Sequence, residues 1–109
     1  MAMTLPSPVL TYIDADGRND SEAVIDAFAP AAAVRDEGQT HVGREAIGTW
    51  WQTAKAKYHH VIEPLESTED GQITRVLMTV AGQFPGSPAR LVFAFRVEGG
   101  RIAGLEITP

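Results

Sequence analysis

A chain of 109 residues is the length of one domain at the usual ~100 to 200 residues per domain, so residues 1–109 are expected to fold as one unit. Its 14 acidic against 9 basic residues leave a formal net charge of -5 with no basic cluster, which argues against nucleic acid or an anionic membrane as a partner. No cysteine is present, which excludes a disulfide framework, a thiol nucleophile and cysteine-ligated zinc, and 44% hydrophobic content suits a packed globule.

The opening Met1-Ala2-Met3-Thr4-Leu5-Pro6 has neither the basic residues nor the apolar run of a secretory signal. A cytoplasmic location is therefore expected. Ser7-Pro8 is a helix-start signal, because serine caps a free amide and proline is tolerated at the first helical position. Val9, Leu10 and Ile13, with Tyr12 on the flank, make the apolar stripe of a first helix that Gly17 ends in a left-handed conformation. Asp20 is placed to cap a second helix carrying Val24, Ile25 and Phe28 before Pro30 stops it. A third helix is marked by Ile47, Trp50, Trp51, Ala54 and Tyr58 on one face, with Arg44, Glu45, Gln52, Lys55 and Lys57 away from it.

Ala33 to Glu37 and Thr40 to Val42 read as a short hairpin broken at Gly38, and everything after Tyr58 reads as strand. Asp70-Gly71, Pro85-Gly86-Ser87-Pro88 and Gly99-Gly100 are turn signals that cut this region into a four-stranded antiparallel meander. Leu91, Phe93, Phe95 and Val97 alternate with Val92 and Ala94, which are also apolar, so both faces of the sheet need cover. Three helices cover one face. Val76, Met78, Val80, Val92 and Ala94 are therefore expected to form an outer face that meets a second copy in a homodimer.

Two helices, a hairpin, a third helix and a meander resemble the α+β cone shared by nuclear transport factor two, ketosteroid isomerase and SnoaL-type polyketide cyclases, also called a cystatin-like roll. The likeness is carried by Tyr12, Phe28-Ala29, Val34-Arg35-Asp36-Glu37-Gly38, Gly43-Arg44-Glu45-Ala46-Ile47, and Gly99-Gly100-Arg101-Ile102 with Leu105-Glu106-Ile107. Gly82-Gln83-Phe84-Pro85-Gly86-Ser87-Pro88 is similar to a bacterial branch of mostly uncharacterised proteins. The resemblance implies three helices on a strongly bent antiparallel sheet and a pocket for a small apolar molecule. It also places Tyr12, sixteen residues before Phe28, and Asp36, eight after it, at the positions of the isomerase's oxyanion tyrosine and general-base aspartate. The isomerase's third element, a protonated acid, is replaced by Phe93, which has no proton to donate.

The residues themselves point the same way for Asp36: if Val34 faces the interior, the two-residue strand period sends Asp36 there too, where an apolar setting makes a carboxylate a better base. The alternative is a structural ion pair with Arg35 or Arg44. Tyr12 is either a donor to a ligand oxygen or a core aromatic with a structural partner. Trp50 and Trp51 are core residues by spacing that also suit the wall of a ligand cavity. Glu37, on the face opposite Asp36 by alternation, ranks below it, with Glu63 and Glu106. His59 and His60, read on a strand, point to opposite faces and cannot chelate one ion together without a bulge; one of them, with His41 and Asp36, is a candidate to complete a ligand set or to act as acid and base in a dehydratase-like site, His41 is a candidate cavity residue, and the spacing matches no metal motif. No phosphate-binding glycine loop exists, and no cofactor is expected. Three functions compete: an isomerase, cyclase or dehydratase with Asp36 as base and Tyr12 as donor; a binding module using the same cavity; and an association module with the cavity filled.

Overall fold

The computed structural model describes residues 4–109; Met1, Ala2 and Met3, on which the reading of the N-terminus rests, lie outside them. Helices α1 (Ser7–Gly17) and α2 (Ser21–Asp26) precede β1 (Phe28–Asp36) and β2 (Gln39–Val42). Helix α3 (Arg44–Tyr58) then leads into β3 (Val61–Asp70), β4 (Ile73–Ala81), β5 (Ala89–Glu98) and β6 (Arg101–Thr108).

Local signals place these elements to within a residue or two, with instructive exceptions. Pro6, not Ser7, is the cap of α1, and Ser7 lies inside the helix with its carbonyl accepting from Thr11 Oγ1 at 3.0 Å. The left-handed residue after α1 is Asn19 (φ 55) rather than Gly17; asparagine tolerates that conformation better than most side chains. Asp20 caps α2 as expected, accepting from the Ala23 amide at 3.1 Å. Phe28 and Pro30, expected in and just after α2, belong to β1 instead. The Ile102 amide donates to the Ala27 carbonyl at 2.9 Å and Phe28 pairs with Ile102, so sheet pairing takes the chain over before Pro30 is reached.

The strands form one sheet in the order β2-β1-β6-β5-β4-β3. The expected hairpin β1–β2 and the meander β3 to β6 are all antiparallel. The contact of β1 with β6 is parallel, so the sheet is mixed and the expectation of a wholly antiparallel one is corrected. Tight turns enforce antiparallel neighbours; β1 and β6 are joined by most of the chain, and no turn dictates their direction. Gly99 and Gly100 (φ 58 and 77) supply the two left-handed residues that a short hairpin loop with the right twist demands.

Residues directly opposite on paired strands share a face, and Val76 faces Phe93 while Met78 faces Leu91. Val76, Met78 and Val80 therefore point inward with Phe93 and Phe95 and are buried, which corrects their assignment to the outer face. Val92 and Ala94 do lie outside, with Leu77, which opposes Val92. On the inner face Val9, Tyr12, Val24, Ile47 and Trp51 from the three helices close over Phe28, Val34, Phe95, Ile102 and Leu105. Fully burying one such side chain stabilises by ~1.5 to 3 kcal/mol over leaving it exposed. Among the described residues no helix is long and apolar enough to cross a membrane.

Candidate functional site

Between α1, α3 and the inner sheet face lies a cavity of ≈ 340 Å³ whose wall includes Tyr12, Asp36, Trp50, Trp51 and Phe93, with Ile62, Leu91 and Ile107 adding apolar surface. Five of the six candidate residues thus meet in one space. His41 does not. It stands on the edge strand β2, 6.2 Å from the Trp50 ring between centroids, and lines a separate groove of ≈ 210 Å³. Asp36 and Trp50 border both spaces, and His41 lies on the far one.

Asp36 follows from the strand period: Val34 is fully buried, and two residues on the carboxyl group reaches the cavity. Trp50 Nε1 donates to Asp36 Oδ2 at 3.1 Å. Neither arginine considered as a partner takes it. Arg44 donates to the Phe28 carbonyl at 2.8 and 3.0 Å, and Arg35 stands 3.9 Å from Glu106. Burial pushes the Asp36 pKa above the ordinary aspartate value; the Trp50 bond opposes this and the charge of Glu37 adds to it. Glu37, expected on the opposite face, leaves the strand in a left-handed conformation (φ 52), where alternation no longer applies. It lines the same cavity, accepting from the Tyr58 hydroxyl at 3.3 Å.

Tyr12 is 2% exposed and packs edge-on against Phe28 and Phe95, with ring centroids 5.8 and 5.5 Å away. Its hydroxyl has no hydrogen-bond partner among the described residues and opens to the cavity. Burial, then the negative charges of Asp16 and Asp36, push its ionisation well above the usual phenol value. It remains a neutral donor at any physiological pH.

The sequence reading missed Asp16, one turn beyond Tyr12 on α1. Its side chain is wholly buried, with Oδ1 accepting from Lys55 Nζ at 3.0 Å and Oδ2 from Trp51 Nε1 at 2.9 Å, while His60 Nε2 lies 3.0 Å from Oδ2. Burial alone would raise its pKa, but the bonds from His60 and Trp51, the charge of His60 and the Lys55 bond outweigh it and hold the carboxyl below the ordinary value. The available signal was positional: Val9, Tyr12 and Asp16 fall at i, i+3 and i+7, which carries the buried stripe onto a carboxylate. Lys55 is correspondingly not on the solvent side of α3. His59 and His60 are not strand residues; His59 is the left-handed cap of α3 (φ 49), and this turn swings His60 back toward α1. Among the described residues no group of three or more His, Cys, Asp and Glu side chains is placed to hold a metal ion.

Three helices on one face of a mixed sheet, enclosing a cavity with a carboxylate and a phenol on its wall, define an α+β cone. Residues 9–105 match the SnoaL-like domain, and the chain belongs to that family. A protein from Sinorhizobium meliloti assigned as a polyketide cyclase is 50% identical, with 95% of each chain covered and a TM-score of 0.94. A protein of ketosteroid isomerase-like fold from Catenulispora acidiphila, in complex with trimethylamine, is 20% identical over 97% of this chain and 87% of that one, with a TM-score of 0.84. A Mycobacterium tuberculosis protein in complex with estradiol-17beta-hemisuccinate shares the fold at 17% identity and a TM-score of 0.78, covering 92% of this chain and 88% of that one. No curated protein matches the chain.

Proposed function

We propose that the cavity takes a small apolar carbonyl compound and that Asp36 moves a proton on it while Tyr12 hydrogen-bonds the carbonyl oxygen. What supports this most is one placement: a half-buried carboxylate, without a cationic partner among the described residues, on the same wall as an open phenol. Asp36 removes a proton from the carbon beside the carbonyl, the electron pair moves onto oxygen, and the enolate oxygen accepts from Tyr12. A raised pKa makes Asp36 the stronger base. Enolisation of this kind needs no cofactor. At ≈ 340 Å³ the cavity is near the lower end of the ~300 to 1,000 Å³ usual for ligand pockets, which suits a compact ring compound.

Phe93 favours a second reading, a binding module without turnover, because this side chain on the cavity wall has no proton to donate to an enolate. Deuterium uptake from heavy water at the α-carbon of 1-tetralone separates the two. The wild type should accelerate uptake and Asp36→Asn should abolish the acceleration while still binding the ketone. Binding with no acceleration in the wild type leaves the binding module; full activity in the variant removes Asp36 as base.

The outer sheet face supports a homodimer. Leu77, Val92 and Ala94 make an apolar centre flanked by exposed Arg75, Arg90 and Arg96 and by Glu66 and Glu106. A patch with both charge signs at its rim can pair with its own copy about a two-fold axis.

A further inference from the structure

The cavity has two polar partitions. Trp50 and Asp36 separate it from the groove that holds His41. Trp51 and His60 separate it from a second groove of ≈ 510 Å³ beside α1 and α3, and among the described residues no other borders both of those spaces. Trp51 and His60 are also both within hydrogen-bond distance of one carboxylate oxygen, Asp16 Oδ2. Resting on the reading of Asp36 given above, we propose that His60 is a second proton carrier of the cavity, held in place by Asp16 and recharged through the second groove.

Asp16 also has a cation, Lys55, on its other oxygen at 3.0 Å. Donation from Nε2 to Asp16 leaves Nδ1 as the exchanging nitrogen, the division of labour by which a carboxylate sets a histidine tautomer. Asp16 is thus a positioning residue. The groups facing His60 are Asp16 and Tyr12 from α1 and Trp51 and Lys55 from α3, with Asp36 and Glu37 from β1 on the same cavity wall.

Two carriers that open on different grooves allow a proton to leave one carbon of a ligand and arrive at another. On a β,γ-unsaturated ketone, Asp36 takes the proton from the carbon between carbonyl and alkene, and the electron pair passes into the conjugated dienolate on Tyr12. Charged His60 then gives its proton to the γ-carbon and the double bond moves into conjugation. Asp36 loses its proton to the groove beside His41 and His60 regains one from the second groove, so the ketone is isomerised with no net change in the protein.

Cyclohex-3-en-1-one in heavy water tests this. The wild type should form cyclohex-2-en-1-one carrying deuterium at the γ-carbon. His60→Gln keeps a donor where Nε2 lies but carries no proton, so conversion should fall about tenfold or more, and the residual product should retain protium handed over by Asp36. A variant that matches the wild type in rate and deuterium content overturns the role of His60, while Asp36→Asn, tested beside it, reports separately on the base. If His60→Gln does not fold, nitrogen-15 imidazole spectra of the wild type decide: 2-naphthol in the cavity should move the His60 resonances, and unmoved resonances overturn the proposal.

Discussion

Trp51 Nε1 donates to Asp16 Oδ2 at 2.9 Å, tying α3 to α1 through a carboxylate that has no exposed side-chain surface. Its neighbour Trp50 does the same for Asp36 at 3.1 Å. Successive residues on a helix point about a quarter-turn apart, so one dipeptide serves two carboxylates, Asp36 on the cavity wall and Asp16 on the neighbouring groove.

The Trp51 bond should be measurable in stability. Trp51→Phe keeps most of the apolar volume and removes one donor to a buried anion, which costs ~1.5 to 3 kcal/mol. Urea unfolding followed by circular dichroism should show a lowered midpoint with an unchanged slope; an unchanged midpoint would mean Lys55 and His60 alone suffice for Asp16.

Asp16 also sets the acid limit. Its folded pKa is held below the unfolded value, so its contribution is complete above the ordinary aspartate pKa of ~3.9 and is lost as pH falls through the folded value. Thermal melts between pH 5 and pH 2, taken as a rough bracket of that range, should show the wild type losing stability more steeply than Asp16→Asn.

Asp36 has the opposite sign. Its folded pKa is raised, so the folded state holds a proton that the unfolded chain has given up, and stability falls as pH rises from the ordinary value through the raised one. Asp36→Asn, whose amide oxygen still accepts from Trp50, should melt at a higher temperature than the wild type at neutral pH and lose that advantage in acid. A lower melting temperature at neutral pH would show the carboxylate to be structural.

Gly82 positions the turn that carries His60. A Cβ there would lie 2.7 Å from the Tyr58 carbonyl oxygen and 3.1 Å from the His60 Cα, both backbone atoms with little room to yield. Gly82→Ala should therefore destabilise by ~1 to 3 kcal/mol and weaken 2-naphthol binding, read by urea titration and by fluorescence of the two tryptophans.

The outer sheet face makes its own prediction. Sedimentation should find a dimer at micromolar concentration, and Val92→Glu, which buries a charge at the patch centre, should shift it to monomer. A wild type that sediments as a monomer removes the interface.

Local chemistry was enough to read the helices, the turns and the meander, because periodicity, proline, glycine and capping residues act over a few positions. It also placed Asp36, since Val34 and Asp36 share a face by strand period alone. Direction and register were decided elsewhere. The parallel contact of β1 with β6, the inward turn of Val76 and Met78, and the passage of Phe28 from helix to strand all depend on which distant strand lies alongside. The Asp16 cluster depends on it most: Asp16, Trp51, Lys55 and His60 look like an unremarkable acid, a core aromatic, a surface lysine and a loop histidine until α3 packs on α1. A buried charge is tolerable only where its partners converge, and that convergence is a property of the packed chain rather than of any segment of it.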